Sequence, residues 1–448
     1  GSMAFEFDKV DGSFQQQTLE IASLVRAPGS VIGFHASDLQ QGAFGLNGST
    51  GIVVNLLDGG AGLAQVGLGG APGTVNRSVA LGVFGGDGVD YGLTNMYQWA
   101  TMTPNRASEF MTVDGNRLRT LDPATEMVNL GGRVTNALLI TQASAGAGDN
   151  VNINFASSYN AYNVFALTNQ LSMYADKRVV GDSTFNSIRL GIVRGDPYVL
   201  GSAINQPNDY GRVLLIEDGV TLRSDSGMLL MGRDTGSTNG DLAPGTVFLY
   251  GGRVDLDGTA DNREAIIHNA SGSSLYMRSA VDATQGFTKS GTDSVVLDYR
   301  NNFGGVVNIA QGSLYVRDSD ALRGASEIRV NGDGLLVMNY GVAITNMNLI
   351  AGERMWGSPV LYSETGHNVF GGDILIQNVD PQGTIMHDVR LRSSVNNQVA
   401  TLTLLGDIGL SELNASPDLN LNDSQVLYLN ESGGIYNLKG VVGDWIVD

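Results

Sequence analysis

The sequence predicts an all-β chain wound as a single right-handed parallel β-helix, a β-solenoid, elongated and with short loop excursions. Three observations lead there. Glycine makes up 61 of the 448 residues while hydrophobic residues stay at 42% and prolines number 10, against the ~7% glycine of ordinary proteins. Almost every segment is a short alternating or β-branched run closed by Gly, Asn or Asp, the pattern of a strand ending in a turn. These runs recur as a phrase of strand, glycine, strand, and loosely periodic units of that kind signify stacked coils, each burying its apolar side only against its neighbours.

Taken in order, the strand runs are Val134–Ile140, Val151–Phe155, Arg212–Ile216, Met228–Met231, Thr246–Tyr250, Gly252–Leu256, Ser274–Met277, Ser294–Leu297, Val306–Ile309, Ser313–Val316, Glu327–Val330, Leu335–Met338, Asp373–Ile376 and Ala400–Leu405. The phrase is plainest in 306–316, around Gly312, and returns in 213–222 around Gly219 and in 327–337 around Gly332 and Gly334. At such a corner the backbone takes φ > 0 or approaches a neighbour closely, which a residue without Cβ tolerates best. Period-two alternation puts Ile266, Leu275, Val296, Val307, Ile309, Leu314, Val316, Ile328, Val330, Leu336 and Ile376 on the inner face. The stack is expected to hold on the order of 14–20 coils and to run roughly 65–95 Å at ~4.8 Å per coil. A globular sandwich is the alternative that also yields many short strands.

The chain divides into 1–3, which reads as a cloning scar (Gly1-Ser2-Met3), 4–130 as N-terminal coils or a cap with longer loops, 131–416 as the central β-helix, and 417–448 as C-terminal coils or a cap. A scar at the start implies that a signal peptide and an anchor lie outside this sequence.

Charge and composition exclude several functions. There are 26 basic against 45 acidic residues, a net charge of −19, and that field repels phosphate backbones and anionic lipid, which argues against nucleic acid as a partner. No run of about 18 apolar residues exists to cross a membrane as a helix, so no direct membrane insertion is expected. The absence of cysteine removes disulfides, thiolate metal sites and cysteine nucleophiles. The four histidines, His35, His268, His367 and His387, never take metal-ligand spacing, and no Gly-x-Ser-x-Gly turn links a strand to a helix.

Residues 265–324 carry a resemblance to a known family. The segments Glu264 to Asn269, Ser274 to Met277, Gly286-Phe287-Thr288-Lys289-Ser290-Gly291-Thr292-Asp293-Ser294-Val295-Val296-Leu297, Asn301-Asn302-Phe303-Gly304-Gly305, Gly312-Ser313-Leu314-Tyr315-Val316 and Asp320-Ala321-Leu322-Arg323-Gly324 resemble the autotransporter-associated β-strand repeat of bacterial surface proteins. Asp293 stands where that family usually has glycine, and Phe303 where it has tyrosine. The resemblance implies a β-helical passenger segment, extracellular or displayed on the bacterial outer membrane, with no shared catalytic residues. The expected function is therefore a non-catalytic structural or adhesive surface module, meeting carbohydrate or protein at the cell surface or associating with itself.

Two rival classes remain. Parallel β-helices can host glycan lyases or hydrolases, whose acid/base work needs carboxylates gathered on adjacent coils; Asp234, Asp241, Asp255, Asp257 and Asp261 form the candidate cluster, although Asp also closes turns through backbone hydrogen bonds. A self-assembling layer or fibre subunit follows from the open sheet edges at the ends of any solenoid. No cofactor or metal site is expected. Calcium is the one cation the carboxylates could hold, and Gly85-Gly86-Asp87-Gly88-Val89-Asp90 partly fits a calcium-binding nonapeptide. For glycan or partner contact the candidates are the aromatics Tyr91, Tyr97, Trp99, Trp356 and Tyr362, which in a solenoid also serve as core ladders.

Overall fold

A computed structural model describes residues 2–7, 17–36, 52–87, 98–104, 116–122, 125–131, 138–156, 162–163, 177–193, 210–233, 246–258, 264–352, 359–376, 389–393, 400–410, 426–430, 435–438 and 446–447. Their regular structure is almost all strand, with one short 3-10 turn at Gln142–Ser144. Three sheets account for the described strands: a seven-stranded mixed sheet from the first 120 residues, a two-stranded antiparallel pairing of Gln65–Val66 with Val79–Ala80, and a 28-stranded, predominantly parallel sheet from Val128 onward.

The large sheet is solenoid-like. From Val128 on, the chain visits three ladders of parallel strands in the same cyclic order. Phe287–Ser290 belongs to the first, Val295–Leu297 to the second and Asn302–Phe303 to the third, after which Val306–Val316 returns to the first. On the first ladder Ile267 pairs with Lys289, Lys289 with Ile309, Ile309 with Val330 and Val330 with Ala351. Those coils take about 21 residues each, so the resemblance segment coincides with the most regular part of the stack. Earlier coils are longer, Val151 pairing with Ile188, Ile188 with Leu229 and Leu229 with Ile267.

One core fills the space between the ladders. Leu275, Val295, Leu314, Leu336 and Leu361 form a column of successive rungs, all fully buried. Each meets a side chain of nearly its own shape above and below, the dense interdigitation on which core stability rests. Phe287 stacks on Phe303, ring centroids 5.0 Å apart. The corner glycines behave as expected: Gly219, Gly312 and Gly332 have φ of 78°, 65° and 53°, and at Gly312 a Cβ would come within 2.4 Å of the Gly291 carbonyl oxygen.

One alternative falls away and one expectation needs correction. A sandwich would pair its strands antiparallel, whereas these ladders are parallel. The longest ladder has twelve rungs among the described residues, from Leu138–Ile140 to Ile446–Val447, or about 55 Å at ~4.8 Å per rung. The N-terminal strands form a separate sheet and add no rung to it among the described residues. Finally, Ile266 and Val296 are buried but face outward, since their neighbours Ala265, Ile267, Val295 and Leu297 hold the inner positions. Of the other positions placed on the inner face, Leu275, Val307, Ile309, Leu314, Val316, Ile328, Val330 and Leu336 belong to the shared core; the Ile376 side chain lies outside the described residues.

Ile266 is covered by the N-terminal layer. The seven-stranded sheet has a core of its own around Phe34, Val54, Leu56, Val83, Met102 and Leu118. Its other side, carrying Val31, Phe84 and Trp99, packs on Met228, Leu230 and Ile266 from the outer face of the first ladder. Polar contacts fix this docking: Arg26 Nη1 donates to Glu264 Oε1 at 2.5 Å, while Glu264 Oε2 accepts from Gly29 N and Thr288 Oγ1, each at 2.7 Å. Asn150 Nδ2 donates to the carbonyl of Arg77 at 2.7 Å.

Candidate functional site

Of the carboxylates expected to cooperate, Asp255 and Asp257 are described, and both are engaged in bonds within and between coils. Asp255, on the outer side of the third ladder, lies 3.2 Å from Arg223 Nη1 and accepts a 2.9 Å bond from Asp257 N. Asp257 accepts from Thr284 N at 2.5 Å and Thr284 Oγ1 at 2.9 Å, one coil onward. Both act as corner fasteners of the kind Asp commonly provides. Asp234, Asp241 and Asp261 lie outside the described residues. No group of three or more metal-ligating side chains occurs among the described residues; in the nonapeptide-like stretch only Gly85 to Asp87 is described, on the strand Val83–Asp87.

The aromatic candidates are corrected in part. Trp99 is fully buried, 5.6 Å from the Phe84 ring, because it sits where the N-terminal layer meets the stack. Tyr362 is 8% exposed and so presents little surface. Tyr91, Tyr97 and Trp356 lie outside the described residues. His268 is also interior: Phe84 stacks on it at 3.9 Å and its Nδ1 lies 2.9 Å from Ser290 Oγ.

A different surface gathers chemistry. On the outer side of the second ladder, Val213, Phe248, Tyr276, Val296, Tyr315, Val337 and Tyr362 follow one another rung by rung. Phe248 and Tyr276 stack with centroids 4.6 Å apart. Arginines from the neighbouring column lie across these rings: Arg278 is 5.5 Å from the Phe248 centroid, and Arg317 is 5.2 Å from that of Tyr276 and 5.1 Å from that of Tyr340. A guanidinium over an aromatic face is attracted by the ring quadrupole and screens the ring from water. Burial pushes the Tyr315 hydroxyl up to about 12, with the Glu364 charge adding to it. Burial likewise raises Glu364, against the pull of Arg317. Tyr340 is the one non-glycine residue with positive φ among the described residues, at 66°.

At one edge of this column lies a cleft of about 740 Å³. Its lining includes Tyr250, Arg278, Asp298, Tyr299, Asp218 and Arg253, together with the Gly251-Gly252 pair. Arg278 Nε donates to Asp298 Oδ2 at 2.8 Å, and Arg253 Nη1 to Asp282 Oδ2 at 2.5 Å. Tyr299 is 52% exposed. The only sequence sign of this recess is the glycine pair that interrupts 246–255, where the register shifts between Tyr250 and Arg253. Tyr250, Arg278 and Tyr299 stand far apart in sequence and meet only because consecutive coils stack.

Comparisons with family models, with curated proteins and with solved structures find no match for this chain.

Proposed function

We propose that this chain is a single right-handed parallel β-helix acting as a non-catalytic structural or adhesive module, extracellular or displayed on a bacterial outer membrane. The hand follows from the general behaviour of parallel strands, whose crossovers are right-handed in about 98% of cases. The surface location rests on the resemblance of residues 265–324 to autotransporter-associated repeats.

The observation that carries the non-catalytic reading is the fate of Asp255 and Asp257. A general acid or base must face substrate within hydrogen-bond reach, and these carboxylates are instead engaged with Arg223 and Thr284 in coil-to-coil bonds. The cleft beside the arginine-crossed aromatic column offers recognition surface without such a pair.

The test is a glycan array run alongside reducing-sugar release on the same polysaccharides. Binding without cleavage is the expected result. Replacing Asp234, Asp241, Asp255 and Asp257 together by Asn should leave binding unchanged, because Asn preserves turn hydrogen bonding while deleting charge. Cleavage by the parent that disappears in the quadruple variant would establish a glycan-active enzyme in place of this reading.

A further inference from the structure

We infer that the cleft between Tyr250, Tyr299, Arg278 and Asp218 is a binding subsite for a neutral oligosaccharide. This deepens the adhesive reading and rests on it.

The shape of the site comes from the backbone. Gly251 and Gly252 have φ of 75° and 40°, and a Cβ on Gly252 would lie 2.4 Å from Ile216 Cγ2 and 2.7 Å from the Val220 carbonyl oxygen. Only glycine lets the chain press onto the preceding coil here, so the recess is built into the fold. At about 740 Å³ it falls within the range of small-molecule sites, which are roughly 300–1,000 Å³.

The lining selects the ligand class. Tyrosine rings offer flat apolar faces with a polar tip, which suits the C–H face of a pyranose ring. Asp218, Asp298, Arg253 and Arg278 place hydrogen-bond acceptors and forked donors around the rim, which suits vicinal hydroxyl groups. Charge excludes the acidic polysaccharides: Arg278 and Arg253 already face Asp298 and Asp282, and the chain as a whole carries −19, so a polyanion meets repulsion with no surplus of positive charge to offset it.

Isothermal titration calorimetry tests the inference, with cellohexaose, xylohexaose, mannohexaose and maltohexaose as neutral probes and hexagalacturonate as the charged comparison. At least one neutral hexamer should bind the parent protein, and hexagalacturonate should bind more weakly. Tyr299→Ala removes an exposed ring that carries no core contact, and it should weaken binding about tenfold, the loss of one stacking partner, with an unchanged melting temperature. Asp218→Ala should weaken it several-fold. Tyr340→Ala, which removes an even more exposed ring outside the cleft (66% exposed), should change affinity less than twofold. Absence of binding by every neutral hexamer at millimolar concentration, tighter binding of hexagalacturonate, or indifference to Tyr299→Ala would overturn the inference. Array binding by the parent that survives Tyr299→Ala would do so while leaving the adhesive reading intact; a parent that attaches to no glycan and no surface protein sinks that reading itself.

Discussion

Between Ala265 and Val330 each coil meets the next through columns of like side chains, Val295 on Leu314 on Leu336 and Val307 on Ile328, and the same apolar contact is made again at every rung. The N-terminal layer is joined to the stack by contacts that occur once, such as Arg26 with Glu264 and Phe84 on His268, and is tied within itself by the Arg119–Glu126 pair just before the stack begins. The difference is one of redundancy. A repeated contact can be lost at one rung while its neighbours hold, since solenoid stability approximates a sum of coil and interface terms. A unique contact has no second copy, so the junction should break as a unit.

The largest effect is expected at Glu126, which ties the N-terminal layer together next to the start of the stack. Its carboxylate is 1% exposed and receives two bonds from Arg119, at 2.6 and 2.5 Å, together with those of Gly73 N and Asp122 N. Leaving one member of such a buried pair unpartnered costs about 3–5 kcal/mol. Glu126→Gln should therefore loosen the N-terminal layer before the stack, read as early loss of amide protection on the strands Gln98–Pro104 and Asn116–Thr120 while 265–330 stays protected. Burial pushes the Glu126 carboxyl up, but the Arg119 bonds and the backbone donors outweigh it and hold the group below the usual range. A lowered folded value means stability present above the unfolded value of 4.5 and lost as pH falls below it. Acid should release the same layer first. Simultaneous loss of protection in both regions would contradict the proposed difference.

Within the stack, Leu314→Ala deletes a fully buried side chain between Val295 and Leu336. A cavity in a rigid column should cost about 2–4 kcal/mol, with unfolding spreading from that coil and the docked layer little affected at first. A melting temperature within a degree of the parent would show that the column relaxes around the cavity.

How much of this was legible followed from repetition. The corners at Gly219, Gly312 and Gly332 and the inward column through Leu275, Leu314 and Leu336 were readable because spacing and alternation recur. Ile266 and Val296 were misread because alternation gives a strand's two faces and leaves open which faces inward; here another layer, or an aromatic column, covers the outer one. Trp99 was left open between contact surface and core for the same reason: nothing local distinguishes an aromatic under a docked sheet from one facing solvent. The cleft was invisible because Tyr250, Arg278 and Tyr299 converge through coil register, and coil length changes before Ile267.

The last comparison, read as a slope with pH, separates an apolar rung from the one lysine rung in the regular coils. Lys289 occupies an inner position between Ile267 and Ile309, fully buried, and its Nζ donates to the carbonyl oxygens of Gly291 and of Gln311, the latter at 2.7 Å. It ties one coil's corner to the next, a unique polar contact inside the repetitive core. Burial brings its ammonium down to about 7 from 10.5, while the Asp293 charge pulls the other way. With the folded value lowered, the unfolded chain binds more protons between those two limits, so stability rises with pH across that window and levels off outside it. The slope attributable to this group approaches ~1.4 kcal/mol per pH unit. Lys289→Met keeps the length of the side chain and removes the titration. The difference in denaturant stability between parent and variant, followed from pH 6 to pH 9, should therefore shift in favour of the parent as pH rises above about 7. A constant difference over that range would mean that the two carbonyls and Asp293 keep Lys289 charged throughout, and that the lysine rung behaves as a permanent ionic staple.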